Sequence, residues 1–228
     1  VVAGWPSGMV SMPTRRQKLI WFFQDNWPLA VPLVVLLLMT WIWWNFGRDL
    51  PRGTISVQYE PPERLTPAEV GALADDNVDL KDITATIVDL ARRGFLTIEE
   101  LKGKEYILTR RKESEPGLKP HESLLLKFLF QDGGTVSLSD LENKFYQHLP
   151  GLKTAIYDGL GKQGYWWGRP DRVRAFWWGV SAAVFATGWF SAGVFPDPLV
   201  FVFSMMVSAG IIALFASFMP RKTPQGAR

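Results

Sequence analysis

Two short basic clusters, Arg92-Arg93 and Arg110-Arg111-Lys112, are the residues best suited to chemistry in this chain. Side chains of this type hold phosphate or carboxylate groups through charge-assisted hydrogen bonds. A nucleic-acid surface needs them within a basic stripe, because counterion release supplies much of that affinity. Residues 47–174 around them hold 19 Lys and Arg against 20 Asp and Glu. That balance disfavours nucleic acid. It leaves a patch that is solvated, lipid-facing or used to dock another protein. A second candidate is the acidic group Asp75, Asp76, Asp79 and Asp82. Carboxylates ligate Ca²⁺ or Mg²⁺, but this spacing fits no calcium loop, and acids gather at helix starts through the macrodipole. Capping is the expected role. His121 and His148 have no clear third ligand for a metal. The chain contains no cysteine, which removes disulfides, thiolate sites and thiol nucleophiles. It also carries no glycine-rich phosphate loop and no nucleophile elbow. No catalytic, cofactor-binding or metal residue is expected, and the chain is not read as an enzyme.

The elements that would position the patch are set by three uncharged apolar runs. Trp27–Phe46, Ala175–Val194 and Leu199–Met219 each have about the 20 residues that a helix needs to cross a ~30 Å hydrocarbon core. Trp27 stands at one end of the first run, and Trp41, Trp43 and Trp44 at the other, where indoles favour the interface. Between the second and third runs, Phe195-Pro196-Asp197-Pro198 breaks the helix and makes a tight turn. Arg169, Arg172 and Arg174 precede this hairpin; Arg221, Lys222 and Arg228 follow it. By the positive-inside rule its ends are cytoplasmic and its turn lies outside. Residues 1–26 then fall outside as well, although Arg15, Arg16 and Lys18 argue locally for the reverse. Small residues recur every fourth position as Gly179, Ala183 and Thr187, as Ser204 and Ser208, and as Ala209, Ala213 and Ser217. Such rows let helices approach closely in lipid, so the second and third spans are expected to pack together. The first span is then peripheral or meets another partner. No charge lies within any span, which argues against an ion path.

The polar stretch reads as two similar halves. Thr66-Pro67-Ala68-Glu69 has the form of a capping box with proline at the first helical position. A second helix opens at Asp79 to Asp82, with Ile83, Ile87, Leu90 and Ala91 on one face, and Gly94 stops it. Phe95–Ile98 and Glu105–Thr109 read as a hairpin. Helix, helix, hairpin is the order of a winged helix. A helix over His121–Phe130, a short strand at Val136–Leu138, a helix from about Ser139 to Gln147 and another from Pro150 follow. Tyr165-Trp166-Trp167 stands where the second wing would begin. Asp89–Phe95 and Asp158–Tyr165 each give a helix end, a glycine and an aromatic residue. Thr54–Tyr59, before the first half, alternates weakly and reads as an extended strand.

Several segments resemble the YciQ-like predicted bacterial membrane proteins, a family defined by domain of unknown function 2207. They are Gln58–Pro62, Leu65–Glu69, Asp82–Ala91, Arg93–Ile98, Tyr106–Thr109 and Arg169–Arg174. Gly47-Arg48-Asp49-Leu50-Pro51 departs from the resemblance, which loosens the linker register only. The resemblance implies an exported β-rich domain before a first span, a cytosolic domain, further spans and no known activity. Residues 1–12 would be the end of that exported domain. The first residue is Val and no leader pattern stands at the start, so a fragment of a longer protein is expected.

These readings combine into a mainly α membrane protein. Residues 1–26 close an exported domain and lead into a span at 27–46. Residues 47–174 form a cytosolic α+β domain of two winged-helix-like units, spans follow at 175–194 and 198–219, and 220–228 is a cytosolic tail. The expected partners are membrane lipids and, through the cytosolic domain, other proteins at the bacterial plasma membrane. The alternative is a membrane-tethered transcription regulator that uses the same module on DNA.

Overall fold

The computed structural model describes residues 13–49, 65–101, 105–112, 117–131, 133–139, 141, 145–194 and 197–226. They fall into two compact units: an apolar unit from residues 1–46 and 175–219, and a polar domain from 47–174 and 220–228.

In the apolar unit, helix α1 covers Arg15–Asp25. Thr14 caps it, accepting from Gln17 N while the Gln17 side chain accepts from Thr14 N. A 3-10 turn at Trp27–Ala30 leads into α2, Val31–Ile42, and a π-helical turn at Trp43–Gly47 ends the run. Pro28 and Pro32 stand at the starts of these helical pieces, where their missing N–H groups cost least. Helix α7 runs Pro170–Phe190 and α8 runs Pro198–Ala216. Among the described residues, two stretches, Trp27–Gly47 and Pro198–Ala216, are long and apolar enough to cross a membrane. Helix α7 is not one of them; Asp171, Arg172 and Arg174 occupy its first turns. Its uncharged part, Ala175–Phe190, rises only about 24 Å. The expected turn residues Phe195 and Pro196 lie outside the described residues.

Helix α8 packs along α2, so the first apolar helix is not peripheral. On α8 the buried side chains are Phe201, Ser204, Ser208, Ala209, Ile212 and Ala216, three or four residues apart on one face. The row Gly179, Ala183, Thr187 is exposed instead. The contact between α7 and α8 is made by Ser181, whose hydroxyl donates to Ala209 O at 2.8 Å, and by Gly188. A Cβ at Gly188 would stand 2.4 Å from Met205 Cβ. A donor that finds a carbonyl, and a missing side chain beside a methionine, decided that face.

The polar domain begins with α3, Pro67–Asp75, and α4, Leu80–Arg92. The hairpin β1, Leu96–Leu101, and β2, Glu105–Arg110, pairs Leu96 with Arg110 and Leu101 with Glu105. Helix α5, Pro120–Leu129, follows. Strand β3, Thr135–Ser137, then adds antiparallel to β2, with Leu108 opposite Val136. A 3-10 turn at Phe145–Gln147 and α6, Leu149–Lys162, complete the order. The first half therefore has helix, helix and hairpin. The second half's short strand joins the first half's hairpin, giving one sheet in the order β1-β2-β3. One apolar core serves both halves, from Leu65, Ile83, Leu90 and Leu108 to Leu125, Leu152, Ile156 and Leu160. The extended stretch expected at Thr54–Tyr59, the turn at Lys102–Lys104 and most of the helix expected after Ser139 lie outside the described residues.

Helices α4 and α6 end identically. Gly94 and Gly164 have φ of +81° and +79°. Phe95 N donates to Leu90 O at 3.0 Å and Gly94 N to Ala91 O at 2.9 Å. Tyr165 N donates to Leu160 O at 3.3 Å and Gly164 N to Gly161 O at 3.1 Å. Each is a Schellman motif, which needs a left-handed residue and satisfies two carbonyls left over at a helix end. The aromatic residue that follows lies buried in both cases.

Candidate functional site

The basic clusters come together only in part. Arg92 Nη2 lies 2.8 Å from Asp89 Oδ1 and is well exposed. Arg93 is half-buried, with Nε 2.9 Å from Asp89 Oδ2 and a contact to the Glu122 carboxylate. Both of these charges are matched by carboxylates. Arg93 and Lys112 flank the Phe95 ring at 5.4 and 5.5 Å. Arg111 Nε donates to Thr97 Oγ1 at 2.7 Å, and Arg110 Nε donates to Lys112 O at 3.1 Å. Arg93, Arg111 and Lys112 thus gather around β1 and Phe95, whereas Arg92 points to Asp89, which it shares with Arg93. Arg110 also lines an open groove of about 430 Å³ with Lys127, Ser123, Leu126 and Phe130.

The acidic group divides by role. Asp79 opens α4, and its N–H donates to Asp82 Oδ2 at 2.8 Å, as capping requires. Asp82 is buried against α3, where a Cβ on Gly71 would meet its Oδ1 at 2.1 Å. Asp75 pairs with the exposed Lys81 at 3.1 Å. Asp76 does something that the sequence reading missed. It is the only described non-glycine residue with positive φ, at 58°, a conformation that Asp tolerates better than most residues. That turn aims its carboxylate inward. Trp166 Nε1 donates to Oδ1 at 2.8 Å, Lys222 Nζ stands 3.5 Å from Oδ2, and Arg174 Nη2 donates to the Asp76 carbonyl at 2.9 Å. Lys222 is buried; its N–H donates to Asp49 Oδ1 at 2.8 Å and its Nζ to Ala74 O at 3.4 Å. Burial pushes the Asp76 carboxyl above the usual carboxylate range. Trp166 and Lys222 pull it back, and Asp49 adds to the rise.

Three sequence-distant segments meet here. Asp49 follows the first apolar stretch, Arg174 precedes Ala175, and Lys222 follows the last. The tail also makes a β-bridge. Trp166 and Lys222 form an antiparallel bridge, Trp167 N donates to Arg221 O at 3.3 Å, and Thr223 N donates to Tyr165 O at 3.0 Å. Gly226 is seated so closely that a Cβ there would lie 2.2 Å from Tyr165 O. Beside this knot, Arg169 joins the start of α7 to α6 through Asp158 and stacks 5.8 Å from the Tyr157 ring. Burial works to raise Asp171, but Arg169, 2.6 Å away, holds that carboxyl below its ordinary value. Burial raises the Tyr157 hydroxyl, which accepts from Val78 N at 3.2 Å.

A second buried polar group ties the N-termini of α3 and α5. Thr66 N donates to Glu69 Oε2 at 2.8 Å, and Lys119 N donates to Glu122 Oε2 at 2.8 Å. These two capping boxes are cross-linked. Lys119 Nζ reaches Glu69, and His121 Nε2 lies 3.0 Å from Thr66 Oγ1. Burial pushes the His121 imidazole below its ordinary value, against the opposing pull of Glu69 and Glu122. Among the described residues, no three His, Asp or Glu side chains are placed to hold a metal ion.

Among the described residues, two helices are long and apolar enough to cross a membrane, and a tail from beyond the last apolar helix helps to close the polar domain. A family model described as predicted membrane protein (DUF2207), C-terminal domain, matches residues 54–228, and the chain belongs to that family. No curated protein and no solved structure matches the chain.

Proposed function

We propose that the protein is a multi-pass component of the bacterial plasma membrane. It would link a region outside the cell to a cytosolic module of winged-helix type that binds other proteins rather than catalysing a reaction. The observation that carries this reading is the knot at Asp76. It gathers Asp49, Arg174 and Lys222, which flank the apolar stretches in sequence, onto the module itself. A domain held in this way registers a displacement of any of those stretches as a change in its own buried contacts. Two arguments support a cytosolic module and a third span over 175–194: the arginines flanking this hairpin and the absence of Lys and Arg from its turn. Docking to protein is favoured over DNA because Arg92 and Arg93 are matched by Asp89 and Glu122.

Compartment reporters placed at Asp197 and after Arg228 in the full chain test the topology. The expected result is an outside signal at Asp197 and a cytosolic signal at the end; a cytosolic Asp197 rejects the reading. Site-specific photocrosslinking from Lys112 in intact cells tests the docking. Adducts with a defined protein are expected, and adducts with nucleic acid alone reject protein docking.

A further inference from the structure

Helix α1 stands outside the proposed function. Its sequence is polar at both ends and apolar in the middle: Arg15, Arg16, Gln17 and Lys18, then Leu19-Ile20-Trp21-Phe22-Phe23, then Gln24 and Asp25. The five central residues are 52–67 % exposed. At 100° per residue they circle the helix completely, so the apolar surface is a belt rather than a stripe. A single protein face covers a stripe. A belt is covered on all sides only by a medium that surrounds the helix, which lipid does.

The surroundings of the helix point the same way. The ends of the helix are closed by the Thr14–Gln17 box and by Asn26. Both the N–H and Nδ2 of Asn26 donate to Phe22 O at 2.9 Å. The Phe22 carbonyl at the end of the belt is thus doubly paired, as an apolar medium favours. At Asn26 the backbone leaves the helical region, with φ −108° and ψ 14°. The next residue, Trp27, begins a stretch of spanning length and composition. The belt is thus continuous with a surface already destined for lipid. Two of its neighbours, Arg15 and Arg16, carry the charge that anionic headgroups attract. Trp21, Phe22 and Phe23 are the residue types that settle at the boundary of headgroups and acyl chains.

We infer that α1 is a membrane anchor: an eleven-residue helix, about 16 Å long, dipping into the bilayer so that lipid surrounds its middle. Leu19–Phe23 are sunk among the upper acyl chains and the basic first turn sits among anionic headgroups. This anchor fixes the depth and direction at which the chain enters its first span.

The absence of cysteine makes the test direct. Single cysteines at Arg16, Ile20, Phe22, Phe23 and Leu37, each an exposed position, are spin-labelled in the full chain. The protein is reconstituted in nanodiscs of phosphatidylethanolamine and phosphatidylglycerol. Collision with oxygen, which enters lipid, is compared with collision with a water-soluble nickel chelate. Labels at Ile20, Phe22 and Phe23 are expected to favour oxygen several-fold, as at Leu37 within the span, and the label at Arg16 to favour nickel. Nickel access at Ile20, Phe22 and Phe23 overturns the anchor in favour of water. Exclusion of both reagents there overturns it in favour of a protein cover, and nickel access at Leu37 overturns the span and the anchor together.

Discussion

Phe95 and Tyr165 occupy the same step of the same motif in the two halves of the polar domain, but different parts of the chain return to meet them. Phe95 O accepts from Arg111 N at 2.9 Å, at the end of a local hairpin. Tyr165 O accepts from Thr223 N at 3.0 Å and also meets the Thr223 hydroxyl, 58 residues away in sequence. The first half closes itself. The second is closed by a segment that follows two apolar helices. By loop length alone, closing the longer excursion costs about 1 kcal/mol more, and buried contacts at Asp76 offset it. A local repeat can therefore carry one helix ending into two tertiary roles, one self-sufficient and one dependent on the rest of the chain.

The largest expected effect tests whether the halves share a core. Leu90→Ala and Leu160→Ala remove equivalent, fully buried side chains, and each should cost about 3 kcal/mol. Urea unfolding of the detergent-solubilised chain should show both variants shifting one common transition. Two separable transitions, each sensitive to one variant, would break the single-core account.

Asp76→Ala strikes the contacts by which the first half holds the tail against the second. It removes the partner of the buried Lys222, the acceptor of Trp166 and a residue suited to the left-handed turn, for a loss of about 2 kcal/mol. Trypsin should then cut at Arg221 or Lys222 well before it cuts the β1–β2 sheet. Asp76→Asn keeps the turn and the Trp166 acceptor and should lose less. Equal protection of the tail in wild type and Asp76→Ala would show that the knot does not hold it.

Glycine substitution sharpens the likeness. Gly94→Ala and Gly164→Ala force a Cβ into φ near +80° with no steric neighbour within 4 Å at either site. Each should cost about 1 kcal/mol, and the two losses should agree in thermal melts. A large excess at Gly164 would mean that the tail amplifies strain at that helix end.

The smallest effects are those of pH. His121 is held below its ordinary value of 6.5 by burial. The neutral form is the folded form, so its contribution is present above about pH 6.5 and is lost as pH falls towards the folded value. The slope is at most about 1.4 kcal/mol per pH unit. Asp76 runs the other way. Its carboxyl is raised from 3.8, so the folded state binds that proton more tightly, and this contribution fades as pH rises through the folded value. Denaturant midpoints measured from pH 7 to pH 5 should fall, and the fall should disappear in His121→Gln.

Much of this fold was legible in the residues. The Thr66–Glu69 box, the α4 face of Ile83, Leu90 and Ala91, the glycine stops at Gly94 and Gly164 and the β1–β2 hairpin follow from local rules, because each depends on neighbours within about five residues. The membrane reading followed from long runs without charge. The small-residue row on α7 misled, since every fourth position names a face without saying which face meets a neighbour. The roles within the acidic group were only half visible. Capping by Asp79 and Asp82 is local, but Asp76 finds Trp166 and Lys222 only after folding, and no periodicity reports a pair 146 residues apart.

By itself the amino-acid order determined which stretches are apolar, where helices start and stop, and that two helix ends share one geometry, because those outcomes rest on side-chain chemistry and on hydrogen bonds between near neighbours. Tertiary structure alone decided that one sheet and one core join the halves, that the tail bridges the chain at Tyr165 and Trp166, and that Asp76 collects Asp49, Arg174 and Lys222. The physical reason is distance along the chain. Contacts between remote segments are chosen by which burial and pairing satisfy the whole molecule, and that choice exists only once the chain has closed upon itself.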